Sequence, residues 1–374
     1  MKPSEITQLR KGNKNNIYKY ILRNEQCSKN DIAFSLNLSL PTVSKNLNEL
    51  IESGLVRSAG TFDSTGGRKA TIYESISDAR VAIGVQILTD DVSIVECGLH
   101  GEVISLKTID IAFEDTRDYY EAVGKAVQKF IIDTRKRDAI LGVTITVQGI
   151  VDETHQNLIY GRIMKDSRIT ASHFSQYIDY PCILMHDSEA AAFAESYFSP
   201  GINDAVYIFL NKNLGSSFIM NGKVYSGNHS RGAVIEHMCI VPQGRLCYCG
   251  KHGCAECYCS ANSLIESAGS DLSSFFERLR SNDEKASAAW TDYLHRLTNT
   301  IYNVLMFQDV DIVIGGLIRN YMIPEDLERL YQMLTEKSDF PVHKNSIVFE
   351  KNMKASAAVG AALYHISKFL EQYD

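Results

Sequence analysis

No stretch of this 374-residue chain reaches the roughly 18 uninterrupted apolar residues that a membrane-spanning helix needs. The nearest approach, residues 301–318, is broken by Gln308, Asp309 and Asp311. The opening segment MKPSEITQLRKGNKNN lacks the apolar core of a secretory signal, so a cytoplasmic location with no membrane partner is expected. Sequence repeats of solenoid type and low-complexity segments are missing too. With 45% apolar and 22% charged residues, the composition excludes a disordered or collagen-like chain. At about 100–200 residues per domain, the length predicts two or three domains.

Charge is uneven along the chain. Residues 1–80 hold 12 Lys/Arg against 8 Asp/Glu, whereas residues 81–374 hold 26 against 37. A basic head on an acidic body suits a head that meets nucleic acid.

The head has a pattern of its own. Ile17, Tyr20 and Ile21 share helical spacing over 13–24. Ser28 is placed to cap a second helix through Leu36, with Ile32, Ala33 and Leu36 inward. Ser39 is placed to cap a third, with Pro41 in its first turn and Val43, Leu47, Leu50 and Ile51 on one apolar face. Two strand-like runs, LVRSAGTF and ATIYES, flank the polar turn DSTGGRK. Three helices and a hairpin make a winged helix-turn-helix, whose third helix enters the major groove. Ser39, Pro41, Thr42, Ser44, Lys45 and Asn48 then face DNA, while Arg68 and Lys69 tip the wing. The head is assigned to residues 1–78 and the body to 79–374.

The body alternates strands and helices. VAIGVQI, DVSIVEC, EVISLKTIDI, ILGVTITV, CILMH, AVYIFL, SSFIMNGKVYS and IVIGGLI read as strands; 117–137 and 355–371 read as helices. This predicts an α/β body of two lobes.

Five of the nine cysteines lie between Cys247 and Cys259. In a reducing compartment such crowding favours a metal over a disulfide framework. His237, Cys247, Cys249 and Cys254 form H-x9-C-x-C-x4-C, one neutral and three anionic donors suited to a closed, structural zinc site. Cys239, His252, Cys257 and Cys259 stand as further candidates, and a thiol redox switch is the rival reading.

LSLPTVSKNLNELIESGLV with STGGRKA, and CYCGKHGCAE, together resemble the ROK family of repressors, open reading frames and sugar kinases, over nearly the whole chain. Among its branches they are most similar to the regulators of xylose-repressor and N-acetylglucosamine-repressor type. The resemblance implies an actin-like two-lobed body with a sugar site in its cleft, and a homodimer or tetramer on a palindromic operator. It also implies that His237 takes the place of the histidine in the family's GEIGH motif.

Where the family's kinases carry a DxGGT-like phosphate turn, this chain has Gln86, Leu88, Thr89, Asp90 and Asp91. The second phosphate turn reads Asn211 to Gly215, and Gly315-Gly316 keeps part of a third. Bulky side chains and carboxylates oppose close backbone approach to a phosphate, so kinase activity is expected to be lost. On the sugar side, Asp187 matches the kinases' base and Glu256 a hydroxyl acceptor, while His186 replaces an Asn. Val234 replaces the GEIGH glutamate, Glu236 a glycine, and Gln148-Gly149 a Pro-Gly turn. Asp187 also suits a helix cap. Candidate effector residues are therefore His186, Asp187, Glu256 and His237.

The function expected is a DNA-binding transcriptional regulator of carbohydrate genes, a repressor, responding to a sugar or sugar phosphate. The alternatives are a sugar kinase with a DNA-binding head, and a regulator answering to a protein partner or to thiol state.

Overall fold

A computed structural model describes residues 3–24, 26–62, 69–133, 139–165, 167–351 and 355–373. The head comprises α1 (Pro3–Arg23), α2 (Lys29–Ser35), α3 (Leu40–Glu52) and the antiparallel hairpin of β1 (Val56–Thr61) and β2 (Thr71–Ser75). Local chemistry sets these boundaries. Ser28 Oγ accepts from the Asp31 amide at 3.2 Å while Asp31 accepts from the Ser28 amide at 2.8 Å. Ser39 Oγ accepts from the Thr42 amide at 3.3 Å. Beyond α3, Gly54 takes φ +70°, a left-handed turn that returns the chain towards β1.

Two details differ from the sequence reading. Tyr18, beside Ile17 and Ile21, is the fully buried tyrosine of α1, whereas Tyr20 is half-buried and accepts from Ser35 Oγ at 3.1 Å. On α3, Ile51 is exposed and Asn46 is buried instead, its amide donating to the Thr42 carbonyl.

The first lobe contains β3 (Val81–Ile87), β4 (Asp91–Gly98), β5 (Val103–Asp110), α4 (Arg117–Asp133), β6 (Ile140–Val147), β7 (Ile150–Val151), β8 (Leu158–Tyr160), α5 (Ser172–Ser175), β9 (Cys182–His186) and α6 (Asp187–Phe198). The second contains β10 (Ala205–Leu210), β11 (Leu214–Met220), β12 (Lys223–Tyr225), α7 (Glu256–Cys259), α8 (Ala261–Ala268), α9 (Leu272–Arg280), α10 (Glu284–Leu305), β13 (Asp311–Gly315), α11 (Pro324–Lys337) and β14 (Ile347–Phe349). The chain ends with α12 (Ser356–Leu370). SSFIMNGKVYS is thus two strands, because Asn221 and Gly222 turn with φ +52° and +71°.

The lobes repeat one topology. Their sheets run β5-β4-β3-β6-β9 and β12-β11-β10-β13-β14, each with two antiparallel and then two parallel pairings. This is the actin-like, sugar-kinase-like body joined to a winged helix-turn-helix.

Small residues let α12 seat deeply on the first lobe. A β-carbon at Gly84 would lie 1.7 Å from the Ala358 carbonyl oxygen, and one at Gly360 would lie 1.7 Å from that of Ala190. The turn 371–373 that follows α12 packs on α1 of the head. Ile17, Ile21, Val43 and Leu47 belong to one buried cluster with Ala82, Val95, Ala358, Leu363 and Ile366.

Candidate functional site

The head presents the residues expected to meet DNA. Ser39, Pro41, Lys45 and Asn48 are exposed and Thr42 and Ser44 half-exposed, while Val43, Leu47 and Leu50 of the same helix are buried. Lys69 is exposed beyond β1, and Arg68 lies outside the described residues. The hairpin is braced by Arg57, which donates to Glu74 at 2.7 Å.

The lobes enclose a cleft of about 710 Å³, part of it open to solvent. From the first lobe it is lined by Gln148, Gly149, His186 and Asp187, and from the second by Asn213, Ser216, Glu236 and His237. Asp187 opens α6 and accepts from the Ser188 amide at 2.8 Å; His186 Nε2 lies 3.4 Å from its Oδ1. Burial raises the Asp187 carboxyl above its ordinary range, which His186 opposes. Across the cleft, Ser216 Oγ donates to Glu236 at 2.9 Å, and burial pushes Glu236 up to about 7.

His186, Asp187 and His237 thus converge, whereas Glu256 does not line this cleft. It lies behind it, accepting from Asn213 Nδ2 at 2.9 Å and the Leu214 amide at 2.6 Å. Glu236 was not among the sequence candidates. A carboxylate in place of a glycine was the visible signal, but only the backbone turn at 235–237 aims it inward.

A second cavity, lined by Gln86, Asp91, Lys212 and Gly316, marks the side where kinases hold nucleotide in the resemblance above. Lys212 Nζ lies between Asp90, in direct contact, and Asp91, 2.9 Å away. The hydrogen bond from Lys212 holds the Asp90 carboxyl below its ordinary range. The Gly316 amide donates to Glu350 Oε1 at 2.8 Å.

His237, Cys247, Cys249 and Cys254 bring four ligand atoms within 4.8 Å of one another. His237 Nδ1 lies 3.7 Å from Cys247 Sγ, and Cys249 Sγ lies 3.7 Å from Cys254 Sγ. A tetrahedron with zinc–sulfur bonds of about 2.3 Å has edges of about 3.8 Å, so the donors fit such an ion. Burial and the nearby Arg162 lower the His237 pKa, favouring the neutral imidazole that a metal requires. Gly253, at φ +82°, closes the loop where a β-carbon would lie 1.8 Å from the Val241 carbonyl oxygen. The spare candidates are engaged elsewhere: Cys259 with Thr300, His252 with the Gly244 carbonyl, and Cys239 with the His252 carbonyl. Cys257 lines the cavity behind the cleft.

Among the described residues no helix is long and apolar enough to cross a membrane. A model described as ROK family matches residues 82–368, and one described as winged helix-turn-helix DNA-binding matches 11–57. The DNA-binding transcriptional dual regulator NagC of Escherichia coli (strain K12) is 26% identical over 67% of this chain and 62% of its own length. The chain therefore matches less than two thirds of that relative. The xylose repressor of Caldicellulosiruptor bescii is 26% identical over 69% and 66%. Among solved structures, a ROK family transcriptional regulator, homolog of the E. coli MLC protein, superposes with a TM-score of 0.75 at 20% identity over 98% and 97% of the chains. A ROK family glucokinase from Streptomyces griseus, in complex with glucose and AMPPNP, gives 0.67 at 19% over 76% and 98%.

Proposed function

The chain belongs to the ROK family, and from that premise we propose that it is a transcriptional regulator, a repressor of carbohydrate uptake or metabolism genes. Residues 1–78 form the DNA-binding unit and 79–374 the effector-binding and oligomerising unit. A homodimer or tetramer sets two copies of α3 on a palindromic operator. Ser39, Pro41, Thr42, Ser44, Lys45 and Asn48 read the major groove, and Arg68 and Lys69 hold the flanking minor groove or phosphates. A sugar or sugar phosphate lies in the cleft against His186, Asp187 and His237.

His237, Cys247, Cys249 and Cys254 would hold a zinc ion in a structural role, and such an ion would cross-link the 237–254 loop. His237 also lines the cleft, so metal loop and effector site share a residue.

The observation that carries the reading is the division of α3 into a buried apolar stripe and an exposed polar face with Lys45 and Asn48. The test is retention of fragmented genomic DNA on the zinc-loaded protein. Enrichment of a palindrome upstream of a transport or catabolic operon is the expected result; random retention with and without sugars overturns it.

A sugar kinase is the second reading, favoured by the likeness to the glucokinase and by Asp187 in the cleft. The carboxylates Asp90 and Asp91, where the resemblance places a phosphate turn, and Glu350 on the Gly316 amide favour the regulator over the kinase, since carboxylates repel phosphate. ATP consumption across a hexose panel decides between them.

A further inference from the structure

The effector cleft does not end at its polar floor. Beyond Val234 it widens into a mouth of about 1,530 Å³, open to solvent, in which Ile159, Tyr160 and Val234 supply apolar surface and Asp152, His229 and Arg231 are among a polar remainder. Residues 150, 160, 231, 234 and 237 line both parts, so floor and mouth form one continuous site. The two differ in chemistry. The floor offers Asp187 and Glu236 from opposite lobes, acceptors for hydroxyl hydrogens, with His186 and Ser216 beside them. The mouth carries three apolar side chains that remain in water: Ile159 is 58% exposed, Tyr160 42% and Val234 36%. Exposed apolar groups gathered in a concavity mark a surface kept for a ligand.

We propose that this mouth is an outer subsite for the second ring of a disaccharide, whose first ring lies on Asp187 and Glu236. The inference rests on the reading of the cleft as the effector site. Its geometry follows from position 234. A hydroxyl turned towards Val234 finds no hydrogen-bond partner in that side chain. A ring's C–H face meets valine and tyrosine without needing one. Tyr160 is held firmly enough to serve as a platform. Its strand pairs with β7 through Ile150, and Gly149 permits the close approach of the Tyr160 backbone, where a β-carbon would lie 2.3 Å from its carbonyl oxygen. Arg231, also in the mouth, is exposed and supplies donors for the outer ring's hydroxyls.

The test is calorimetric titration of the full-length, zinc-loaded protein with glucose, xylose and N-acetylglucosamine. Each is compared with its β-1,4-linked disaccharide: cellobiose, xylobiose and diacetylchitobiose. At least one disaccharide is expected to bind about tenfold tighter than its own monosaccharide. Tyr160→Ala should collapse that ratio to within about twofold, and Val234→Glu should reverse it in favour of the monosaccharide. Equal affinities for both sizes, or a ratio indifferent to Tyr160→Ala, would overturn the outer subsite while leaving the effector reading standing. If no sugar of either size binds, the effector reading falls and the subsite with it. If Tyr160→Ala changes the oligomeric state in sedimentation and leaves the ratio intact, the apolar mouth is a subunit contact and the proposal is wrong.

Discussion

Lys212, in the turn between β10 and β11, donates to Asp91 at the start of β4 across 2.9 Å, joining the second lobe to the first. Asp90 shares the same ammonium. Three charged side chains thereby bridge the two lobes.

Replacing Lys212 by Met should loosen that bridge. The expected loss is about 0.5–1 kcal/mol, since Asp90 is largely exposed and water screens its share. Lys212 holds the Asp90 carboxyl low, so its stabilisation is present above the unfolded pKa near 4 and is lost as pH falls through the lower folded value. Thermal melts from pH 6 down to pH 3 should therefore be steeper for the native chain than for Lys212→Met. Parallel curves would show that the bridge adds nothing.

Glu350 predicts the opposite slope. It is buried, accepts from Tyr207 Oη at 2.5 Å and from the Gly316 amide, and is pushed up to about 7 by burial. Between the unfolded pKa near 4.3 and about 7 the unfolded chain ionises first, so this group makes stability fall as pH rises, by about 1–3 kcal/mol. Glu350→Gln cannot ionise. Its Tm relative to the native chain should rise from pH 5 to pH 8, and a constant difference would refute the assignment.

Metal removal tests the four-ligand loop. Cys254→Ser, or treatment with a chelator, should lower bound zinc from about one ion per chain and lower Tm by roughly 5–10 °C. Because residues 238–255 contribute no helix or strand, circular dichroism in the far ultraviolet should stay near native. Zinc content unchanged in Cys254→Ser would remove that cysteine from the ligand set.

Lys45→Ala and Asn48→Ala separate two kinds of DNA contact. Both side chains are exposed on α3, so neither change should shift Tm by more than about 1 °C. If Lys45 holds a phosphate, its loss weakens all sequences alike and reduces the salt slope by about one. Asn48→Ala should instead relax selection at one base position and cost about 1–3 kcal/mol against the preferred site. Filter-binding at several salt concentrations distinguishes them; unchanged affinity in both would remove α3 from the interface.

What could be read in the sequence was local. Ser28, Ser39 and the 43–47–50 spacing set the head because caps and helical faces depend on a few neighbouring residues. The grouping of His237, Cys247, Cys249 and Cys254 was legible because donor type and spacing carry it. Features that join distant segments were not. Lys212 meets Asp90 and Asp91 more than a hundred residues away, and its partners exist only once the lobes face each other. Glu256 has the right chemistry for a hydroxyl acceptor, yet the fold gives both its oxygens to Asn213 and Leu214. The repeated sheet order stays hidden because pairing is decided by strands far apart in sequence.

The shared core between head and body carries the last prediction. Asn15 Nδ2 donates to the Gln372 carbonyl at 3.0 Å, tying α1 to the turn that follows α12. In turn α12 packs on α6, whose first residue, Asp187, lines the cleft between the lobes. Ile366 is fully buried in the cluster that holds residues of α1, α3, β4 and α12 together. Ile366→Ala should cost about 2–5 kcal/mol by leaving a cavity. Its effect should spread both ways: in hydrogen exchange, amides of α1 and of β4 should lose protection together and by similar free energies. Protection lost in the body alone would mean that the head is stable without α12. A ligand signal from Asp187 would then need another route to α3.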